Sequence, residues 1–274
     1  MKRFLPVNQA EMKERSWDYV DFALITGDAY VDHPSFGVAI ISRLLEHQGY
    51  RVGIIPQPDW RDVDSFRVLG RPRLGFMITA GNIDSMVNHY TVAKKRRSTD
   101  AYSPGGKSGL RPDRASIVYS NRAREAYSDV PIILGGIEAS LRRLAHYDYW
   151  SNRIRRSILL DSKADLLLYG MAEPALVEVA KRLEQGIAIE RITNVPGTAV
   201  RLFTLPEREI TVLPHYDKIT SSKRAFAESF MLQYENTDHQ TGSVLAEPYG
   251  DFYVLQNPPA PPLSEKELDG VYAL

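Results

Sequence analysis

Two carboxylates, an imidazole and a hydroxyl are concentrated in one short loop near the amino terminus. The loop occupies residues 27–37 and reads GDAYVDHPSFG. Its candidate binding residues are Asp28, Tyr30, Asp32, His33, Ser35 and Gly37. Backbone amides at a helix start attract phosphate or carboxylate, whereas aspartates favour hydroxyls or a cation. The loop therefore predicts a ligand site, either for an anion or for a hydroxyl-bearing ligand or cation. The structural alternative is that Asp32 or Ser35 only caps the helix.

Two further loops place glycines or a carboxylate between a predicted strand and a predicted helix. Their candidate residues are Gly135, Gly136, Glu138, Tyr169, Gly170 and Glu173. Glycines allow a ligand to approach the backbone closely, but they can also serve the turn alone, and Glu173 can simply stabilise a helix start. Because all three loops would lie at one edge of a parallel sheet, they predict a shared crevice. Asp28→Ala or Gly136→Val is then expected to abolish ligand binding and to leave the fold largely intact.

The elements around these loops follow an alternating α/β pattern. Apolar runs bounded by glycines predict strands at residues 22–26, 51–55, 74–79, 132–134 and 165–169. Apolar residues at helical spacing predict helices at residues 37–49, 82–93, 114–127, 137–149 and 174–184. With right-handed crossovers, these elements form a doubly wound, mostly parallel, Rossmann-like sheet whose carboxyl edge carries the three loops.

Two regions of different character divide the chain. Residues 1–190 are predicted to form the Rossmann-like domain, and residues 191–274 a smaller appendage. The appendage shows a strand pair at residues 198–203 and 209–213 and a helix at residues 216–234. Its proline-rich stretch at residues 257–263 is typical of an extended linker, so the chain is predicted to lead to a domain that it lacks.

Composition excludes several classes of function. Lysine plus arginine equals aspartate plus glutamate at 34 each, so no overall field recruits nucleic acid or an anionic membrane. No apolar stretch approaches the roughly 20 residues of a membrane span, and no signal-peptide core is present, which predicts a cytoplasmic protein. The chain has no cysteine, which excludes a disulfide, a cysteine nucleophile and an iron–sulfur cluster on its own thiolates.

Three weaker patterns resemble a phosphate loop, a cobalamin site and a nucleic-acid site, but none is interpreted as one. Residues 101–108 satisfy a permissive phosphate-loop pattern, but they lack the preceding strand and following helix and are interpreted as a mobile glycine loop. The cobalt-ligating pattern Asp-x-His-x-x-Gly fails around His33, so cobalamin is not expected. Basic segments at residues 94–97, 107–114 and 142–156 could contact RNA, yet charge runs are more often solvated faces, so nucleic acid is not the expected partner.

Several long motifs resemble the YgiQ family of radical SAM proteins. They are the loop at residues 27–37, DAYSPGG at 100–106, RPDRA at 111–115, VYSNRAR at 118–124 and GGIEASLRRLAHYDYW at 135–150. The resemblance continues through residues 155–165 and the Asn-Pro-Pro at 257–259, so it covers essentially the whole chain. It implies an amino-terminal domain similar to cobalamin-binding-type Rossmann domains, followed in complete members by a catalytic barrel.

The resemblance also implies a [4Fe-4S] cluster and S-adenosylmethionine in that barrel, held through a three-cysteine motif. None of those cysteines is present in this chain. We therefore expect the chain alone to bind a small ligand, or to dock onto a catalytic domain of the same or a separate chain, rather than to catalyse. The alternatives are a stand-alone module for a nucleotide-like ligand and an RNA-docking module.

Overall fold

The computed structural model describes residues 4–274, and the chain forms two compact units. The first comprises the residues up to 138 together with 263–274, and the second comprises residues 139–262. The domain boundary expected near residue 190 stays a prediction. Among the helices of residues 4–274, none combines the length and apolarity needed to cross a bilayer.

Parallel strands form the centre of the first unit. They are β1 (Phe22–Thr26), β2 (Val52–Pro56), β3 (Gly75–Thr79) and β4 (Ile132–Leu134), in the order β2-β1-β3-β4. Each neighbouring pair is parallel. All five side chains of β1 are buried, because a central parallel strand is covered on both faces.

One helix of the first unit precedes these strands, and the others follow β1, β3 and β4. They are α1 (Gln9–Glu14), α2 (Gly37–His47), α3 (Ser85–His89) and α4 (Ala115–Ala126), and α5 (Gly136–Leu141) starts beyond β4. The helix predicted at residues 82–93 is confined to α3. Asp84 caps its start, and Tyr90 adopts an extended backbone that pairs with Arg96 and ends the helix.

The second unit is built mainly from antiparallel strands. Its strands are β5 (His146–Asp148), β6 (Arg153–Arg155), β7 (Leu166–Leu168), β8 (Thr198–Leu202), β9 (Thr211–Val212), β10 (Leu245–Tyr249) and β11 (Phe252–Gln256). Strands β7 to β11 have the order β7-β8-β11-β10-β9, and β5 pairs with β6 alone. The helices are α6 (Ile158–Ser162), α7 (Glu173–Glu184), α8 (Tyr216–Ser221) and α9 (Lys223–Glu235), and α10 (Glu265–Tyr272) belongs to the first unit. The predicted α/β class with a mostly parallel sheet is confirmed, with antiparallel strands in the second unit.

Three segments of the second unit differ from the sequence prediction. The helix expected at residues 137–149 ends at Leu141 and is followed by the β5–β6 hairpin, in which His146 lies opposite Arg155. Strands β8 and β9 do not pair with each other, because β8 lies between β7 and β11 and β9 pairs with β10. The helix expected at residues 216–234 divides at Ser222, whose hydroxyl accepts the Ala225 amide and caps α9.

Candidate functional site

Residues 100–111, here called the covering segment, lie over the carboxyl ends of β1, β2 and β3. Just beyond β1, the Ala29 amide donates to the Tyr102 carbonyl at 2.9 Å. Directly after β2, Nε2 of Gln57 donates to the Ser103 hydroxyl at 2.7 Å. Doubly wound proteins bind ligands at this edge of the sheet. In the first unit, this edge is filled by the protein's own chain.

A fully buried guanidinium lies at the centre of the filled edge. Arg111 is 1% exposed, and its Nη2 lies 2.9 Å from Oδ1 of Asp28. Its Nε donates to Oδ2 of Asp100 at 3.1 Å. Its Nη1 donates to the carbonyl of Ala80, directly after β3, at 2.9 Å. One arginine therefore joins the ends of β1 and β3 to the covering segment.

The two aspartates beside Arg111 have opposite pKa shifts. Burial raises the pKa of Asp28, against the lowering effect of the Asn82 amide and of Arg111. Burial also opposes ionisation of Asp100, but the Tyr102 amide and Arg111 together lower its pKa. Because the two carboxylates share one guanidinium, the positive charge of Arg111 is already compensated within the protein.

The outer part of the first loop is held by contacts within the first unit. Oδ1 of Asp32 accepts from Nε of Arg43 at 3.1 Å, and Oδ2 forms a short ion pair with Nη2 of the same guanidinium. The Tyr30 hydroxyl accepts the Leu5 amide at 3.3 Å, and burial raises the pKa of Tyr30 to about 12. Tyr30 and Asp32 therefore already have partners in the protein.

His33 and Ser35 form the exposed tip of the loop. Nδ1 of His33 accepts the Ser35 amide at 3.1 Å, and the Gly37 amide donates to Oδ1 of Asn82 at 3.3 Å. The alternative that Asp32 or Ser35 caps α2 is wrong, because Phe36 occupies the cap position and no side chain bonds there. A surface pocket of about 230 Å3 adjoins the tip. It is lined by Asp32, His33, Pro34, Ala39, Ile40, Arg43, Val271, Tyr272 and Leu274.

The two glycines of the second loop serve the turn into α5. The Gly135 amide donates to the Ile78 carbonyl at 2.9 Å. Gly136 has a φ of 83°, and a Cβ atom there would lie 2.3 Å from the Thr79 hydroxyl. Gly136→Val would therefore strain the backbone and collide with β3, so the expectation that it leaves the fold intact is wrong.

Glu138 of the same loop joins two helix starts. It is buried, and its Oε2 accepts from the Ser85 amide at 2.8 Å and from the Ser85 hydroxyl at 2.5 Å. Its Oε1 accepts the Ser116 amide at 3.0 Å. Amides at helix starts lack partners within their own helix, so a carboxylate between them stabilises both α3 and α4.

The third loop lies in the second unit. The Tyr169 hydroxyl donates to the Asn257 carbonyl at 2.5 Å, and the Arg143 guanidinium lies 4.7 Å from the centre of the Tyr169 ring. Burial raises the pKa of Tyr169. Gly170 has a φ of 68°, as a left-handed turn requires. Within the described residues, Oε2 of Glu173 is buried without a hydrogen-bond partner at the start of α7.

Tyr169 and Gly170 adjoin a second surface pocket of about 220 Å3. Its other lining residues are Met171, Thr237, Asp238, His239, Pro259, Ala260 and Pro262. The structure thus places Asp32 and His33 at one pocket, and Tyr169 and Gly170 at another. The crevice shared by all three loops stays a prediction.

The residues present do not fit an iron–sulfur cluster. Such a cluster is held by cysteine thiolates, and the sequence contains no cysteine. Over residues 4–274, no group of three or more histidine, aspartate or glutamate side chains is placed to hold a metal ion.

Sequence reasoning missed the covering segment, although it singled out the motifs on either side. The signal was a pair of opposite charges, Asp100 and Arg111, at the two ends of a glycine- and serine-rich stretch. Their ion pair closes the segment over the sheet. Nothing in the local pattern indicates that this pair is buried, because the burial depends on contacts with β1 and β3.

Comparison with known proteins decides the family. Residues 4–274 match the family model described as radical SAM N-terminal. The chain belongs to the radical SAM N-terminal family. The predicted resemblance to the amino-terminal region of radical SAM proteins is thereby confirmed.

Relatives of this family member are considerably longer than it is. A UPF0313 protein of Clostridium botulinum strain 657 is 53% identical over 272 residues, and one of Clostridium perfringens strain 13 is 56% identical over 274 residues. Both alignments cover 99% of this chain, but only 43% and 41% of the respective relatives. The chain therefore spans about two fifths of the length of the curated relatives it matches.

A solved structure of a radical SAM methyltransferase, TsrM from Kitasatospora setae, with tryptophan substrate and a SAM analogue bound, overlaps this family member in part. The TM-score is 0.44 at 16% identity, and the match covers 65% of this chain and 28% of that one. An overlap of this size supports no conclusion about ligands.

Proposed function

We propose that this chain is the docking portion of a cytoplasmic radical SAM protein and is not catalytic on its own. The observation that carries the proposal is the exposed apolar face of α9. Phe230, Met231 and Tyr234 are 56%, 49% and 65% exposed, and the Phe230 and Tyr234 rings stack with centroids 6.4 Å apart. Of the thirteen residues of α9, only Ser229 is buried. Neighbouring exposed apolar side chains on one helix face are typical of an interaction surface.

The partner that suits this face is the region of the longer relatives that lies outside this chain. More than half the length of those relatives is unmatched here. In a radical SAM protein, the cluster and S-adenosylmethionine require cysteines, which this chain lacks. The catalytic role therefore falls to the unmatched region, and α9 offers that region an apolar surface to cover.

The filled sheet edge favours docking over ligand binding. A small ligand at the usual site of a doubly wound sheet would have to displace the covering segment and break the contacts of Arg111 with Asp28 and Asp100. Removing one partner of a buried ion pair costs about 3–5 kcal/mol. The pockets beside His33 and beside Tyr169, of about 230 and 220 Å3, are each smaller than a usual ligand site.

Hydrogen exchange tests the docking proposal. Two forms of the Clostridium perfringens relative would be prepared, the whole protein and a form truncated to the region that matches this chain. We expect backbone amides of the helix corresponding to α9 to exchange about tenfold more slowly in the whole protein, because a docked partner suppresses local opening. Helix α7 is the internal control, because its apolar side chains Leu176 and Val179 are already buried. Equal exchange of α9 in both forms would contradict docking.

A thermal-shift screen of the 274-residue chain tests the ligand alternative. The screen includes S-adenosylmethionine, cobalamins and nucleotides, since a ligand that binds only the folded state raises the melting temperature. We expect no shift with any of them. A shift with one small molecule that persists at high salt would favour a ligand-binding module instead.

A further inference from the structure

A turn in the first unit presents four consecutive basic side chains in an ordered arrangement. Residues 91–97, here called the basic turn, end in Lys94, Lys95, Arg96 and Arg97, all exposed. The Thr91 amide donates to the Lys95 carbonyl at 2.9 Å, and the Lys94 amide donates back to the Thr91 carbonyl at 2.9 Å. The turn therefore has a fixed backbone and is not a loose charged tail.

A buried group anchors the base of the basic turn. The Arg97 amide donates to the His89 carbonyl at 2.7 Å, and Nδ1 of His89 lies 2.6 Å from Oδ1 of Asp113. The Tyr90 hydroxyl donates to Oδ2 of Asp113 at 2.8 Å. The Arg96 guanidinium lies over the Tyr90 ring at 5.9 Å. These contacts fix the direction in which the basic side chains leave the protein.

Ion pairing distinguishes the basic turn from Arg155 and Arg156 of the basic segment at residues 142–156. In the second unit, Arg155 and Arg156 both pair with Asp161, at 2.9 and 2.6 Å. Within residues 4–274, by contrast, no carboxylate forms an ion pair with Lys95, Arg96 or Arg97. The same holds for Lys107, which pairs with Thr99, two residues beyond the basic turn. The carboxylate of Asp113 interacts with Arg96 through space and is already bound by His89 and Tyr90.

This arrangement concentrates positive charge on a chain that has none overall. The formal net charge of the chain is zero. Lys95, Arg96 and Arg97 are adjacent cations without an ion-paired carboxylate, so together they create a local positive field. The planar guanidinium of an arginine can donate two parallel hydrogen bonds to two oxygens of one phosphate. Membrane attachment through a basic segment needs a second, apolar anchor, and the basic turn offers only Val92 as a large exposed apolar side chain.

We propose that the basic turn, together with Lys107, binds the phosphate backbone of nucleic acid. The binding is independent of sequence, because the turn presents cations and no built pocket for a base. This inference goes beyond docking through α9 and does not depend on it.

Fluorescence anisotropy with a short labelled single-stranded RNA tests the proposal on the 274-residue chain. Binding should weaken steeply between about 50 and 200 mM salt, because phosphate contacts release counterions. The triple substitution Lys95→Gln, Arg96→Gln and Arg97→Gln should weaken binding at low salt at least about tenfold. It should also reduce the slope of log affinity against log salt by about 2, as expected for three lost contacts to a single strand.

A matched control removes the same number of exposed positive charges elsewhere in the first unit. Arg61, Arg67 and Arg71 each have an aspartate partner, at 3.5, 2.7 and 2.6 Å. Substituting all three with glutamine should leave RNA affinity within about twofold of wild type, because those charges are already compensated. Circular dichroism confirms that both variants are folded.

Three results would overturn the inference. They are undetectable RNA binding by the wild-type chain at low salt, equal loss of affinity in both triple variants, and binding to vesicles of phosphatidylcholine and phosphatidylserine without binding to RNA. The last result would reassign the basic turn to an anionic membrane surface. Comparable binding of single-stranded DNA would support the proposal, since the two nucleic acids share the phosphate backbone.

Discussion

Arg111 forms the central contact of the filled sheet edge, and replacing it tests how much that edge contributes to stability. Arg111→Met keeps most of the side-chain volume but leaves Asp28 and Asp100 buried beside no positive charge. We expect a loss of about 3–5 kcal/mol in the free energy of unfolding of the first unit. Urea denaturation followed by circular dichroism measures it.

The exposed arginine Arg67 provides the comparison for Arg111. It pairs with Asp64 at 2.7 Å on the surface, where solvent screens the attraction. Arg67→Met should therefore change the free energy of unfolding by less than about 1 kcal/mol. If both substitutions had the same small effect, the ion cluster around Arg111 would not stabilise the covering segment.

Glu247 makes the stability of the second unit dependent on pH. Burial raises its pKa to about 7, although the Tyr249 hydroxyl and the Ala145 amide bond its carboxylate and oppose the shift. The folded state therefore favours the protonated acid more than the unfolded state does. The resulting stabilisation is complete below pH 4.5, the ordinary value, and is lost as the pH rises through about 7.

Glu247→Gln removes this dependence, because an amide does not titrate. Relative to wild type, the free energy of unfolding of the variant should increase by about 3 kcal/mol as the pH rises from 5 to 8. Melting temperatures of both proteins, measured across that range, report this change. Parallel melting curves for wild type and variant across that range would show that Glu247 does not titrate in the folded state.

At the scale of secondary structure, the sequence predicts elements well where the signal is local. β1 at residues 22–26 and β4 at residues 132–134 have the predicted bounds, because continuous apolar runs end at glycines there. Residues 137–149 carry apolar side chains at helical spacing, yet the helix ends at Leu141 and β5, the first strand of the β5–β6 hairpin, follows at residues 146–148. A turn decides that segment: Oδ2 of Asp148 accepts the Ser151 amide at 3.1 Å, and Asn152 is left-handed with a φ of 51°.

The candidate site was less predictable than the strands. Proximity of Asp28 to the sheet edge follows from its position after β1. Its partner Arg111 is 83 residues away in sequence, and their contact depends on the path of the chain between β3 and α4. A short-range pattern contains no information about such a contact, so the sequence indicates an open site where the structure has a filled one.

Helix α9 is expected to contribute to docking without contributing to the stability of this chain. The double substitution Phe230→Ser and Tyr234→Ser replaces side chains that are more than half exposed. The free energy of unfolding of the 274-residue chain should therefore change by less than about 0.5 kcal/mol for each substitution. In the whole relative, the corresponding change should remove the slow hydrogen exchange of this helix.

A fully buried leucine in α7 provides the matching control for α9. Leu176 is 0% exposed, and Leu176→Ala should cost about 2–5 kcal/mol through lost burial and the cavity left behind. If the α9 double variant were equally destabilised, its aromatic face would be part of the fold rather than a docking surface.

At the scale of the whole molecule, a division of labour follows from composition and length. The 274 residues contain no cysteine, and they match only about two fifths of their longer relatives. Any cluster on such a protein must therefore be held by residues outside the region described here. The matched region supplies a folded α/β body with an apolar helix face and a basic turn.

Anaerobic reconstitution with iron and sulfide tests this division. The 274-residue chain should retain no cluster after desalting, because it has no thiolate to ligate iron. The whole Clostridium perfringens relative, treated in the same way, should retain iron and sulfide and show the broad visible absorbance of a [4Fe-4S] protein. Cutting that relative to its matching region should remove the absorbance while circular dichroism still reports folded α/β structure. Stoichiometric iron and sulfide on the cut form would require ligands other than cysteine and would contradict the division.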